Sequence, residues 1–215
     1  MAKIARLDPK LSAGRTGLVL FDALNGYLHP TDNPAKLKFL AERNILPNMQ
    51  RLLSGARKVG MTVFYPSGAH DPTGADSVDR LTDTDMELAP GGSADRPIRP
   101  HFHKGSRDAE IAPELAPADG DVVVPKQRWS SFFQTHLELQ LRVRGIDAIV
   151  IAGGSTDVGI ASTVFAARDL DLGIVVVRDC CYSTRGPNND FFMDRVFPRM
   201  ARVMSTDAAV ALMTR

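Results

Sequence analysis

Hydrophobic positions along the chain follow two rhythms. Short continuous apolar runs occur at Gly17 to Phe21 (GLVLF), Met61 to Tyr65 (MTVFY), Asp121 to Pro125 (DVVVP), Ile149 to Ile151 and Ile174 to Val177. Runs rich in β-branched residues, with no polar alternate, are read as strands buried on both faces of a parallel sheet. Between them the spacing changes to steps of three and four, the period of a helix with one apolar face. From Asn33-Pro34 the stripe Leu37, Leu40, Ile45, Met49, Leu52, Leu53 predicts a long helix, interrupted near Pro47 and ended by Gly60. Val158, Ala161, Ser162, Phe165 and Ala166 mark a second helix, closed by Gly173.

Two segments are less clear. In Ser131 to Arg144 (SFFQTHLELQLRVR) the residues Leu137, Leu139, Leu141 and Val143 alternate as a strand would, while the Gln, Glu, Leu and Arg content favours helix, which is the reading adopted. Asp190 to Met204 reads as a helix built on Phe191, Phe192, Val196, Phe197 and Met200, with Pro198 a local irregularity, and Thr206 to Met213 as a short final element. Strands alternating with helices predict an α/β fold: three αβα layers around a mostly parallel central sheet of Rossmann type. One domain over residues 1–215 is expected, with a long loop or lid at about 66–117, where periodicity is lost. That loop carries Arg80, Arg96, Arg99, His101, His103, Lys104 and Arg107. One or two of them are candidates to reach an anionic substrate; two histidines without a third partner make no metal site.

Composition narrows the function classes. With 26 basic and 25 acidic residues the chain has no bulk positive face, which argues against a nucleic-acid partner. No apolar run approaches the roughly 20 residues of a membrane span. The mixed, polar opening MAKIARLDPKLSAGR does not resemble a signal peptide, so a cytoplasmic protein without membrane partners is expected. The cysteines, Cys180 and Cys181, are adjacent and fit neither a zinc site nor a disulfide framework. They read as buried residues at a strand end, the alternative being a thiol near a pocket mouth.

Candidate chemistry gathers at strand ends. Asp22 follows the first strand, Lys126 the third, and Gly153-Gly154 the fourth, ahead of a helix whose N-terminal amides around Ser155 to Gly159 face the edge where such sheets bind ligands. GGSTDVG has neither the Gly-Lys-Ser/Thr of a P-loop nor dinucleotide-fingerprint spacing, and Asp157 breaks a Gly-x-Ser-x-Gly elbow.

The blocks GLVLFDALNGY, EIAPELAPADGDVVVPKQRWSSFF, GGSTDVGIASTVFAARD and VVVRDCC resemble the isochorismatase-like, or cysteine hydrolase, superfamily over nearly the whole chain. The resemblance implies a parallel sheet flanked by helices, no cofactor or metal, a small-molecule substrate and assembly into homo-oligomers. Asp22 and Lys126 match the family's acid and lysine, and the family's cis peptide maps onto Gly154-Ser155. The nucleophilic cysteine of most members falls on Gly159, which offers no side chain for a covalent intermediate. Asn25, Trp129, Gly154, Ser155 and Thr156 fall at substrate-binding positions, although Leu24 stands where members carry glutamine before that asparagine. PSGAHDPTG, around His70, does not reproduce the metal motif of the nicotinamidase branch.

The branch that lacks the cysteine cleaves vinyl ethers, with the aspartate as general acid. The resemblance therefore implies a hydrolase of a small anionic molecule, with Asp22 as general acid or base and no covalent cysteine intermediate. A member that binds small molecules without catalysis, and an amidohydrolase that uses water directly, are the alternatives.

Overall fold

The computed structural model describes residues 10–76 and 102–215. Its strands are β1 (Leu11–Ser12), β2 (Thr16–Phe21), β3 (Val63–Gly68), β4 (Val122–Lys126), β5 (Ala148–Gly154), β6 (Gly173–Tyr182), β7 (Arg202–Met204) and β8 (Met213–Thr214). The helices are α1 (Asn25–Leu28), α2 (Pro34–Glu42), α3 (Ile45–Val59), α4 (Leu137–Arg142), α5 (Ala161–Asp169), α6 (Asn188–Phe191) and α7 (Thr206–Leu212). Six strands form the central sheet in the order β4-β3-β2-β5-β6-β7, every neighbour parallel, and β1 pairs with β8 outside it.

The strand runs lack polar alternates because each face of the sheet has its own apolar layer. Leu18, Leu20, Val150, Ala152, Val175 and Val177 meet Leu40, Met49, Leu52, Leu53 and Ala56 of α2 and α3. Val19, Phe21, Ile149, Ile151, Ile174 and Val176 point the other way, onto Leu137, Leu141, Ile160, Val164, Ala167 and Phe197. Successive residues of one strand thus serve opposite cores, which makes the three αβα layers. Among the described residues no helix is long and apolar enough to cross a membrane.

Several boundaries differ from the periodicity reading. The first long helix breaks at Arg43-Asn44, where Asn44 takes a left-handed φ of 51°, and not at Pro47. Pro47 lies in the first turn of α3, where a missing N–H costs nothing.

The helix over Ser131 to Arg144 shrinks to α4. Before it, Ser and Thr side chains take over backbone partners: Thr163 Oγ1 accepts from the Ser131 amide at 3.0 Å, and Thr135 Oγ1 accepts from the Leu137 amide at 3.2 Å. The helix over Asp190 to Met204 is also corrected. After α6 the chain forms a wide turn at Phe192–Val196, a tight turn at Phe197–Arg199, and then β7, the edge strand of the sheet. Three residues are too few to show an alternation of period two, so this strand had no sequence signal.

The loop expected at about 66–117 is shorter at both ends, because β3 continues through Pro66 to Gly68 and one-turn helices form at Arg107–Ala109 and Pro113–Leu115. Arg80, Arg96, Arg99 and His101 lie outside the described residues.

Candidate active site

The chain runs outward from β2 through β3 to β4, then returns to lay β5 against the other side of β2 and continues to β6 and β7. The strand order reverses between β2 and β5, and a crevice opens at the carboxyl ends of strands at such a reversal. Asp22 leaves β2 at that point, with a left-handed φ of 45° and its amide held by the carbonyl of Pro66 at 2.9 Å. Its side chain is 5% exposed. Oδ1 accepts from the Gly68 amide at 3.0 Å, and Oδ2 from Lys126 Nζ at 2.9 Å.

Lys126, the last residue of β4, is 6% exposed. Its ammonium also approaches the carbonyl of Arg128 at 3.5 Å and lies 4.4 Å from the centroid of the Phe21 ring, a cation–π contact. Burial pushes the Asp22 carboxyl above its ordinary 3.8, against the opposing pull of Lys126, the Gly68 amide and His70.

On the other side of the reversal, β5 ends in Gly153 and Gly154. Gly153 has a φ of 134°, and a Cβ there would stand 2.1 Å from the carbonyl oxygen of Phe21, so the position admits only glycine. The Gly154–Ser155 peptide is cis. A wide helical turn, Thr156–Ile160, follows and leads into α5.

This turn positions Gly159 against β2. An ideal Cβ on Gly159 would stand 2.3 Å from Cζ of Phe21, whose ring is 1% exposed. The room in which a nucleophile's side chain would sit is therefore filled by the Phe21 ring, between the turn and the Lys126 ammonium. The sequence marks Phe21 only as strand; its role is visible only in the packing.

The remaining sequence candidates divide. Gly154 lies directly against the Tyr182 ring, 2.4 Å from Cζ to an ideal Cβ. Ser155 donates its hydroxyl to Asp157, which also accepts from Asn188 Nδ2 at 2.6 Å, and Thr156 donates to Asn189 Oδ1 at 2.7 Å. Burial pushes Asp157 up, but the hydrogen bonds from Ser155, Asn188 and Ser183 outweigh it and hold the carboxyl below its ordinary 3.8. A carboxylate at the head of the turn opposes the anion site expected from the amides there.

Asn25 is buried but donates to the carbonyl of Arg107 at 3.2 Å, bracing the 107 segment. Trp129 is 49% exposed. Cys180 and Cys181 are both buried; burial pushes the Cys180 thiol up to about 12 and the Cys181 thiol higher still. They belong to opposite cores and are inert packing groups.

Sequence reasoning missed the aromatic wall beside Asp22. Tyr27 stacks on Phe102 with centroids 4.3 Å apart, and Tyr182, the last residue of β6, pairs with Gly154. Among the described residues no three His, Cys, Asp or Glu side chains gather as metal ligands.

Residues 16–208 match the family model of the Isochorismatase domain. The chain belongs to the isochorismatase family. It is 32% identical over 194 residues to the uncharacterized isochorismatase family protein YwoC of Bacillus subtilis, covering 90% of this chain and 91% of the relative. The fold is shared with an isochorismatase family protein from Burkholderia thailandensis at a TM-score of 0.73, with 26% identity and 96% of each chain covered. It is also shared with N-carbamoylsarcosine amidase from Thermoplasma acidophilum at a TM-score of 0.70, with 26% identity over 90% of this chain and 97% of that one. Isochorismatase-family architecture thus brings Asp22, Lys126, Gly154 and Gly159 to one strand-order reversal.

Proposed function

We propose that the protein is a hydrolase of small anionic molecules that works without a covalent cysteine intermediate, with Asp22 as proton donor and a vinyl ether as the favoured substrate. The observation that carries this reading is Phe21, which fills the space beside Gly159 while the adjacent Asp22–Lys126 pair stays whole. Acid–base chemistry needs only the pair; thiol chemistry needs the filled space.

Burial raises the Asp22 pKa, which favours the protonated carboxyl that a general acid must be. Asp22 gives its proton to the terminal carbon of the C=C–O unit, leaving an oxocarbenium ion and an Asp22 carboxylate. That carboxylate forms where the Lys126 ammonium and the Gly68 amide already donate, so the charge created by the step is stabilised in place. Water adds to the oxocarbenium carbon and its proton returns to Asp22. The hemiketal then breaks its C–O bond to the alkoxy group, releasing an alcohol and a ketone.

Direct attack of water on an amide, with Asp22 as base, requires the carboxylate, the form that burial disfavours. The test is hydrolysis of isochorismate or a simpler enol-ether acid, followed as release of the ketone. Asp22→Asn is expected to lower kcat by about 10²–10⁴-fold while the fold persists. An active Asp22→Asn variant overturns the reading, as does a wild-type protein that binds enol ethers but never turns them over.

A further inference from the structure

Among the described residues, the hydroxyl of Tyr182 is the buried side-chain polar atom with no hydrogen-bond partner. The residue is 4% exposed. Its ring end lies on Gly154 at the cis peptide, and Gly154 is its partner at the ends of β5 and β6, so the hydroxyl belongs to the same crevice. A buried O–H left without an acceptor is destabilising, so an unsatisfied one at a strand-order reversal points to a group that arrives later.

A second donor stands beside it. Lys36, in the first turns of α2, holds its ammonium 4.9 Å from the Tyr27 ring centroid and 5.9 Å from that of Tyr182. Among the described residues it forms no ion pair; the carboxylate that acts on it is that of exposed Asp32, beyond hydrogen-bonding range. Burial of the Lys36 side chain lowers its pKa, the mark of a cation without close counter-charge. An N–H⁺ donor and an O–H donor, neither with a hydrogen-bond acceptor among the described residues, therefore stand at one aromatic-walled corner. A cation is excluded by Lys36. A monoanion with two acceptor oxygens matches one positive charge and two donors better than a phosphate dianion does.

We infer that Lys36 and Tyr182 form a carboxylate-binding subsite that orients the substrate beside Asp22. The inference rests on reading Asp22 as the reacting group, and it adds a coupling to that reading. A bound carboxylate near Asp22 disfavours the Asp22 carboxylate, so occupancy of the subsite raises the fraction of Asp22 that carries its proton. The substrate's own charge helps to arm the acid.

Binding and turnover test the two readings separately. Benzoate and pyruvate, with benzamide and inorganic phosphate as controls, are titrated calorimetrically into wild type, Lys36→Met, Tyr182→Phe and Asp22→Asn. Both carboxylates are expected to bind wild type and to weaken about tenfold or more in either subsite variant, as loss of a charge-assisted or buried hydrogen bond requires. Benzamide and phosphate are expected to bind at least tenfold more weakly than benzoate.

Asp22→Asn is expected to keep or improve carboxylate binding, because it removes a nearby negative charge. Tyr182→Phe deletes only an unpaired hydroxyl and preserves the packing, so folding is not at issue. Carboxylates that bind all variants equally, bind no better than benzamide or phosphate, or fail to bind wild type overturn the subsite. An Asp22→Asn protein that binds carboxylates but still turns over enol ethers sinks the acid and leaves the subsite standing.

Discussion

At the residue scale, Asp22 and Lys126 form a buried pair held by a third donor, the Gly68 amide. Removing Lys126 takes a donor from a carboxyl that burial already inclines to keep its proton, so the carboxyl left behind is neutral. Lys126→Met is therefore expected to cost about 1–3 kcal/mol of stability, read as a lowered urea midpoint at unchanged m-value. Asp22 itself sets a pH dependence. Its folded pKa is raised above 3.8, so the native state keeps this proton at pH values where the unfolded chain has lost it. The stability linked to that proton is present below the unfolded value and is lost as pH rises through the folded one. Turnover by a protonated Asp22 falls over the same rise, so log kcat/KM should decline along a single deprotonation limb at a pH above the ordinary aspartate value. A rate that rises with pH there would identify Asp22 as a base.

Gly159 and Phe21 make a second prediction at this scale. Gly159→Cys forces a Cβ to within 2.3 Å of a packed ring, so the single variant is expected to lose about 1–3 kcal/mol and gain no amidase activity. Shortening the ring with Phe21→Val in the same chain should recover most of that loss and leave a thiol beside Lys126. The comparison is a double-mutant cycle on thermal midpoints, with alkylation of the introduced thiol as the readout of access.

At the element scale, α5 is tied to the segment before α4 by one threonine. Thr163 Oγ1 accepts from the Ser131 amide at 3.0 Å and donates to the carbonyl of Gly159 at 2.7 Å, with Thr163 and Ser131 both fully buried. Thr163→Val keeps the shape and strips an acceptor from a buried N–H, for an expected loss of about 1–3 kcal/mol. Hydrogen exchange should localise the change to the Ser131 amide. The end of β6 gives a further test. Cys180 and Cys181 face opposite cores with their pKa values raised by burial, so neither thiol should react with a disulfide reagent in the native protein. Both should react once the chain is unfolded in denaturant.

At the scale of the whole molecule, Phe133, Leu139, Val143 and Phe165 lie exposed on α4, α5 and the segments flanking α4, on the side of the sheet away from α2 and α3. Exposed large apolar residues such as these are what the interface of the homo-oligomer expected from the resemblance would cover. Sedimentation should show a dimer or larger for wild type, and monomer for a Leu139→Lys/Val143→Lys variant that keeps its helical circular dichroism. A monomeric wild type would remove that expectation.

Five strands of the sheet were legible in the sequence as apolar runs: in β2, β3, β5 and β6 residues such as Val19 and Leu20 are buried on both faces of the sheet, whereas β4 is an edge strand that keeps its run although Val123 is 45% exposed. Asp22, Lys126 and the double glycine were legible as strand ends, and Gly159 as a missing side chain. What the linear order lacks is distance. That Gly68 lends its amide to Asp22, that Phe21 fills the space beside Gly159, and that Lys36 and Tyr182 share a corner are contacts between residues far apart in the chain or hidden within a strand, and only the packing of β2 between β3 and β5 creates them. The break at Asn44 and the strand at Arg202–Met204 escaped for the same reason: a left-handed residue and a three-residue edge are held by neighbours, and carry no period of their own.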